Sequence, residues 1–544
     1  MSFSVQHLII APILLPLATA ALMVPLDERR RPLKTAISLV STLASLWIAL
    51  SLLGIADAQP VDGTGVSVYL LGNWPAPFGI VLVLDRLAAL MLTLTSIVVL
   101  CGLVFSLTRW HSAGSHFHSL LQFLLAGLNG VFLTGDLFNL FVFFEVLLAA
   151  SYGLVLHGSG ALRVKAGLHY IAINLAASSL FLIGVSLIYG ATGTLNMADL
   201  ANRVPTVPES ERVLLEAGAA ILGIAFLIKA GMWPLCFWLP STYSVVAPPV
   251  AAMFSIMTKV GIYVILRLWP LVFGAEAGAS AYFGDNWLLI GGIATVAFGS
   301  IGLLASQDLA RLASFSVLVS SGTLLAAIAV GSTAVTGGAL FYLVSSTLAI
   351  SAFFLLIELI ERGRIAGADI LAVTAEALGD DEEEGEVEPV GIAIPATMAI
   401  LGVGFATCAL LLAGLPPLAG FIAKLLMLHA MFLSGGPEAS GVTAATWTLL
   451  AVLLLSGLAA TIAMMRAGIR VFWVPIESTV PTVRFLEMLP IVVLLFLCVT
   501  LTVQAGPISR FMQTTAESLH EPQSYVRGVL GTPRVEPVQT GGGS

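Results

Sequence analysis

Apolar runs of about twenty residues, separated by short polar or turn-forming stretches, follow one another along almost the whole chain. Such a run matches the roughly 30 Å hydrocarbon core of a bilayer, where a helix satisfies its own backbone. The pattern predicts an all-α polytopic membrane protein with about fourteen spans and no room for a soluble domain. The first run, from His7 to Val24, lacks a basic leading segment and is followed directly by further spans, so it reads as a span and not as a cleaved signal.

Composition supports this reading. Of 544 residues, 58% are hydrophobic and 10% charged, where a soluble domain is about 25% charged. Lys and Arg fall in every second loop: Arg29, Arg30, Arg31 and Lys34; Arg109; Arg163 and Lys165; Arg311; Arg362 and Arg364; Arg466, Arg470 and Arg484. By the positive-inside rule these loops are cytoplasmic and both termini lie outside, with only the loop near Arg203 and Arg212 departing from the pattern. The net charge of -8 is mostly local, since the stretch GDDEEEGEVE at 379–388 carries seven carboxylates and reads as a solvated loop. Cys101, Cys236, Cys408 and Cys498 lie in or beside apolar runs without metal-ligand or redox spacing, so they read as small buried hydrophobes. The terminal GGGS is linker-like.

Against this background a few ionisable residues stand out. Glu145 sits in the middle of GDLFNLFVFFEVLLAASYG, residues 135–153. A carboxylate at mid-membrane depth costs roughly 2.5 to 3.5 kcal/mol on insertion scales, so its presence calls for a use. Lys229, Lys259 and Lys424 are likewise embedded in apolar runs, several residues from any interface to which they could snorkel. Lys229 is followed by Pro234 and Pro240, and Lys424 is preceded by Pro416 and Pro417, so both helices should break close to their lysine. Broken helices at corresponding places in two half-units are a transporter pattern, because freed backbone groups line a hydrated midplane cavity.

Burial disfavours an ammonium and a nearby carboxylate restores it, so a row Glu145, Lys229, Lys259, Lys424 can pass protons through water, with Glu145 gating the charge of Lys229. His169, Asn174 and His429 are further candidates, or else structural hydrogen-bonding groups. His111, His116 and His118 cluster in sequence without a carboxylate or cysteine and read as interfacial, not as a metal site. Asp85 and Arg86 read as an anchor of the third span at the outer interface. There is no phosphate-binding loop, dinucleotide fingerprint, haem motif or cysteine cluster, so no cofactor and no metal is expected, and transport is favoured over enzymatic chemistry.

Four stretches together carry a family resemblance: TGDLFNLFVFFEVLLAASYGL around Glu145, WLPSTYSVVAPPVAAMFSIMTKVGIYVILR through Lys259, ALFYLVSSTLAISAFFLLIE, and AGLPPLAGFIAKLLML around Lys424. They resemble the D-type subunits of the Mrp (Mnh, Pha) multisubunit monovalent cation/proton antiporters, and the acidic insert resembles that of the Pha branch of Gram-negative bacteria. The resemblance implies about fourteen helices with two inverted five-helix repeats in a bacterial inner membrane. The helices would divide into an N-terminal group (1–110), a first repeat (111–270), a second repeat with the acidic loop 376–388 (271–475), a last span (476–510) and a tail (511–544). It implies other membrane subunits of the complex (A/B, C, E, F and G types) as partners, protons and sodium or potassium as cargo, and no nucleic acid. It makes Glu145, Lys229, Lys259 and Lys424 the family's fifth-, seventh-, eighth- and twelfth-span charged residues. Relatives commonly have a histidine where this chain has Ser345, so its relay would depend on the hydroxyls of Ser345, Ser346 and Ser351 and on water. The alternatives are a proton-pumping membrane-arm subunit of a redox complex, which shares the buried Glu/Lys row, and a structural scaffold, which leaves the lysines without a cause.

Overall fold

The computed structural model describes residues 3–58, 65–362, 396–433, 444–473 and 483–534. The acidic stretch 379–388 and the GGGS end lie outside them. Among the described residues, twelve helices are long and apolar enough to cross a membrane, and three shorter apolar helices, Ala11–Met23, Phe117–Leu133 and Ala419–Phe432, accompany them.

The helices used below are α1 (Ala11–Met23), α2 (Arg31–Asp57), α3 (Arg86–Ser106), α4 (Phe117–Leu133), α5 (Leu137–Val155), α6 (Ala161–Thr192), α7 (Glu209–Ala230), α8 (Trp238–Tyr243), α9 (Pro248–Phe273), α10 (Asp285–Ala305), α11 (Leu309–Ala329), α12 (Thr333–Glu361), α13 (Ala396–Ala413), α14 (Ala419–Leu433), α15 (Ala444–Phe472), α16 (Phe485–Val503), α17 (Ala505–His520) and α18 (Pro522–Leu530). A short antiparallel hairpin, β1 (Ser67–Leu70) on β2 (Val81–Leu84), precedes α3, with Ser67 opposite Leu84. Aspartates start several helices by accepting from backbone N–H groups that have no partner within the helix: Asp85 from Ala88 at 2.9 Å, Asp136 from Asn139 at 2.9 Å and Asp308 from Ala310 at 3.2 Å.

Helices α9 and α12 are buried along their whole apolar length and form the centre of the bundle. Small residues let neighbours approach closely: a Cβ on Gly292 of α10 would lie 2.6 Å from the Ala326 nitrogen of α11, and one on Gly261 of α9 would lie 2.5 Å from the Phe226 carbonyl of α7. The four cysteines are buried and free.

Two spans are interrupted. The first breaks after Ala230, where Gly231 adopts φ +74° and the chain runs without α-helix to Trp238. Pro234 lies in this interruption. Pro240, expected at a break, sits instead in the first turn of α8, where a helix needs no N–H from it. The second interruption separates α13 from α14 and contains Gly414, at φ +73°, with Pro416 and Pro417.

Asp85, expected to anchor the third span, caps α3, is 5% exposed and accepts from both terminal nitrogens of Arg267 on α9, at 2.7 Å for Nη2. The Tyr525 ring of α18 lies 5.6 Å from the same guanidinium, so the C-terminal helices cover this pair. Lys34, read as a loop residue, is 1% exposed and pairs with Glu28 at 2.6 Å.

Candidate functional site

The buried polar groups form two clusters. The first is built on one face of α6, where Tyr170, Asn174 and Ser178 recur every four residues, the spacing that stacks side chains on a helix. Half-buried Glu145, on α5, accepts a short hydrogen bond from the Ser178 hydroxyl. Lys229 is 1% exposed in the last turn of α7. Its Nζ donates to Asn174 Oδ1 at 3.4 Å and to the Tyr170 hydroxyl at 3.5 Å, and lies 5.8 Å from the Phe144 ring centre. Ser151 of α5 meets the Tyr170 hydroxyl at 2.8 Å. Glu145 and Lys229 therefore do not touch as an ion pair; the α6 stripe stands between them.

The second cluster spans α9, α11 and α12. Lys259 is fully buried, and its Nζ donates to Ser320 Oγ at 2.7 Å. Ser320 in turn donates to Ser346 at 2.9 Å. Ser320, Ser345, Ser346, Ser316 and Tyr342 line a cavity of about 20 Å³ that reaches Leu411, Leu412 and Gly420 at the second interruption. Such a volume holds about one water, and the hydroxyls supply partners for it. Across that interruption, Lys424 Nζ donates to the Ala413 carbonyl at 3.1 Å, the last residue of α13. Ser351 lies off this file, bonded to Ser255 of α9 at 2.6 Å.

Beside the first cluster, Tyr170, Trp238, Tyr243 and Phe254 close a ring of aromatic contacts with centres 5.4 to 6.1 Å apart. Among the described residues, no hydrogen bond joins one cluster to the other.

His169 and His429 are exposed on the outer faces of α6 and α14, outside both clusters, so as placed they do not extend the buried file. Asn174, weighed beside His169 in the sequence, is 1% exposed and reaches Lys229. Sequence reasoning passed over Tyr170, Ser178 and Ser320. The four-residue spacing of polar groups in an apolar α6 could have found the first two; Ser320 is one hydroxyl among several on α11 and carries no comparable signal.

Residues 134–449 match the family model described as "NADH:quinone oxidoreductase/Mrp antiporter, TM". The chain is 62% identical over 530 residues to the D subunit of a probable K(+)/H(+) antiporter of Rhizobium meliloti (strain 1021), covering 97% of this chain and 98% of that one. It is 34% identical over 531 residues to the D subunit of the Na(+)/H(+) antiporter of Alkalihalophilus pseudofirmus, covering 96% and 99%. A chain from the structure of the Mrp complex from Dietzia sp. DQ12-45-1b matches with a TM-score of 0.81 at 26% identity, covering 98% and 100%. The family model names both the redox and the antiporter branch, while the full-length relatives single out one, and on these grounds the chain belongs to the D-type subunit family of Mrp antiporters.

Proposed function

We propose that the chain is the proton-translocating subunit of a multisubunit secondary antiporter, a transporter rather than an enzyme, exchanging protons for potassium or sodium alongside other membrane subunits of an Mrp complex. The observation that carries this reading is that buried Lys229, Lys259 and Lys424 are each held by hydroxyl, amide or carbonyl oxygens and, among the described residues, none by a carboxylate within ion-pair distance, unlike Lys34. A lysine so placed gains or loses its proton without breaking a fixed salt bridge, which suits a relay better than a scaffold. Glu145 takes or releases a proton at Ser178, Asn174 and Tyr170 link it to Lys229, and the Ser320–Ser346 hydroxyls with cavity water connect Lys259 towards Lys424. Residues 111–270 and 271–475 act as the two repeats, between an N-terminal group at 1–110 and the last span and tail at 476–510 and 511–544.

The test is cation-resolved antiport by the assembled complex in everted vesicles, with potassium and sodium in separate runs. Glu145→Gln and Lys229→Ala abolish cation-dependent proton flux while the complex still assembles. Wild-type flux in either variant removes that residue from the path. Copurification of soluble flavin or iron–sulfur subunits in place of the Mrp set would overturn the antiporter reading.

A further inference from the structure

The interruption after Lys229 is not held by its own half of the chain alone. Two turn bonds close the end of α7, from Gly231 N to the Ile228 carbonyl at 3.2 Å and from Met232 N to the Leu227 carbonyl at 3.0 Å. The Trp238 indole donates to the Ile228 carbonyl at 3.2 Å. The next backbone donor, Trp233 N, goes elsewhere: it donates to Thr295 Oγ1 of α10 at 2.8 Å. Thr295 is fully buried, and its hydroxyl proton is committed to the Gly291 carbonyl one turn earlier, at 2.6 Å, so its oxygen is left pointing at the break. Gly291 completes the socket, since a Cβ there would lie 2.4 Å from Met232 Sδ. A backbone N–H at membrane depth must keep a partner, so this hydroxyl is the tie that the second half contributes to the break.

We propose that Thr295 is a positioning residue for Lys229: α10, the first helix of the second half, grips the break of the first half and so sets where Lys229 sits against Asn174 and Tyr170. The second interruption has a different arrangement. There Lys424 itself bonds the last carbonyl of α13, so that break is tied to the charge it carries. Movement of α10 therefore reaches Lys229 through two atoms, Thr295 Oγ1 and Trp233 N, and couples the halves without any ion passing between them.

The inference rests on the reading of Lys229 as a proton-carrying group, and its test separates the two. Thr295→Val keeps the shape and removes the acceptor; Thr295→Ser keeps the acceptor. In the assembled complex, Thr295→Val speeds amide hydrogen exchange at residues 231–235 and moves the pH of half-maximal antiport by about half a unit or more. Thr295→Ser matches wild type in both. Faster exchange with an unmoved pH profile overturns the proposal, because Thr295 then only satisfies a backbone group; unchanged exchange overturns it as well. If Thr295→Val does not assemble, Gly291→Ala decides: its added methyl displaces Met232 with the Thr295 hydroxyl intact, a shifted profile supports the proposal, and an unshifted one overturns it. Wild-type flux in Lys229→Ala would remove the underlying reading while leaving the exchange result standing.

Discussion

The two interrupted spans each set a buried lysine beside a break, by different routes. Lys229 lies in the last turn before its break and turns its ammonium to Asn174 and Tyr170 of α6, whereas Lys424, the sixth residue after its own, reaches back to the last carbonyl of α13. A C-terminal helix end carries the negative pole of the backbone dipoles, worth about 0.3 to 1 kcal/mol to a cation such as Lys424 and more when partly buried. What differs is the company. Lys229 faces a stripe of side chains leading to a carboxylate, whereas Lys424 faces a backbone carbonyl and, beyond it, a hydroxyl-lined cavity. A broken helix thus supplies a place for a positive charge, and the surroundings decide how that charge is exchanged.

The comparison breaks most sharply at the lysines. Lys424→Ala reduces cation-dependent proton flux to background, as does Lys229→Ala, when both are measured in vesicles with assembled complex; full flux in Lys424→Ala alone would confine transport to the first half. Smaller effects come from the links. Ser320→Ala removes the side-chain acceptor of Lys259 and lowers flux about tenfold, since a hydrogen bond to a charged group is worth roughly 1.5 to 3 kcal/mol. Asn174→Leu does the same to the first half, and the ratio of the two losses, read from initial rates, measures which half is more dependent on its file. The smallest effect belongs to Ser345→His. The imidazole is larger than the one-water cavity beside Ser346, so its lining side chains shift to admit a titratable group and flux persists with a displaced pH optimum; complete loss would mean that the hydroxyl is structurally required.

The spans and both interruptions were legible because hydropathy and proline act locally, along one segment at a time. Glu145, Lys229, Lys259 and Lys424 stood out for a similar reason: each is an ionisable residue in an apolar run, conspicuous without knowledge of its neighbours. What joins them was not legible. Ser320 is 61 residues from Lys259 and Ser178 is 33 from Glu145, and a lone hydroxyl in a helix is usually bonded to its own preceding turn, as Ser314 and Thr323 are here. Nor was it legible that Glu145 and Lys229 would each meet a different part of one α6 stripe, at Ser178 and at Asn174 with Tyr170. The partner of Asp85 was equally out of reach: next to Arg86 in sequence, it pairs with Arg267, 182 residues away.

The ring of Tyr170, Trp238, Tyr243 and Phe254 bears on leakage. An unbroken file of hydrogen bonds through a membrane protein would discharge the proton gradient whether or not a cation moved. Four buried rings stand at one end of the Lys229 cluster, and dry apolar constrictions conduct when wetted and stop when emptied. In such a device the tightness of the exchange resides in the packing of rings and not in the charged row.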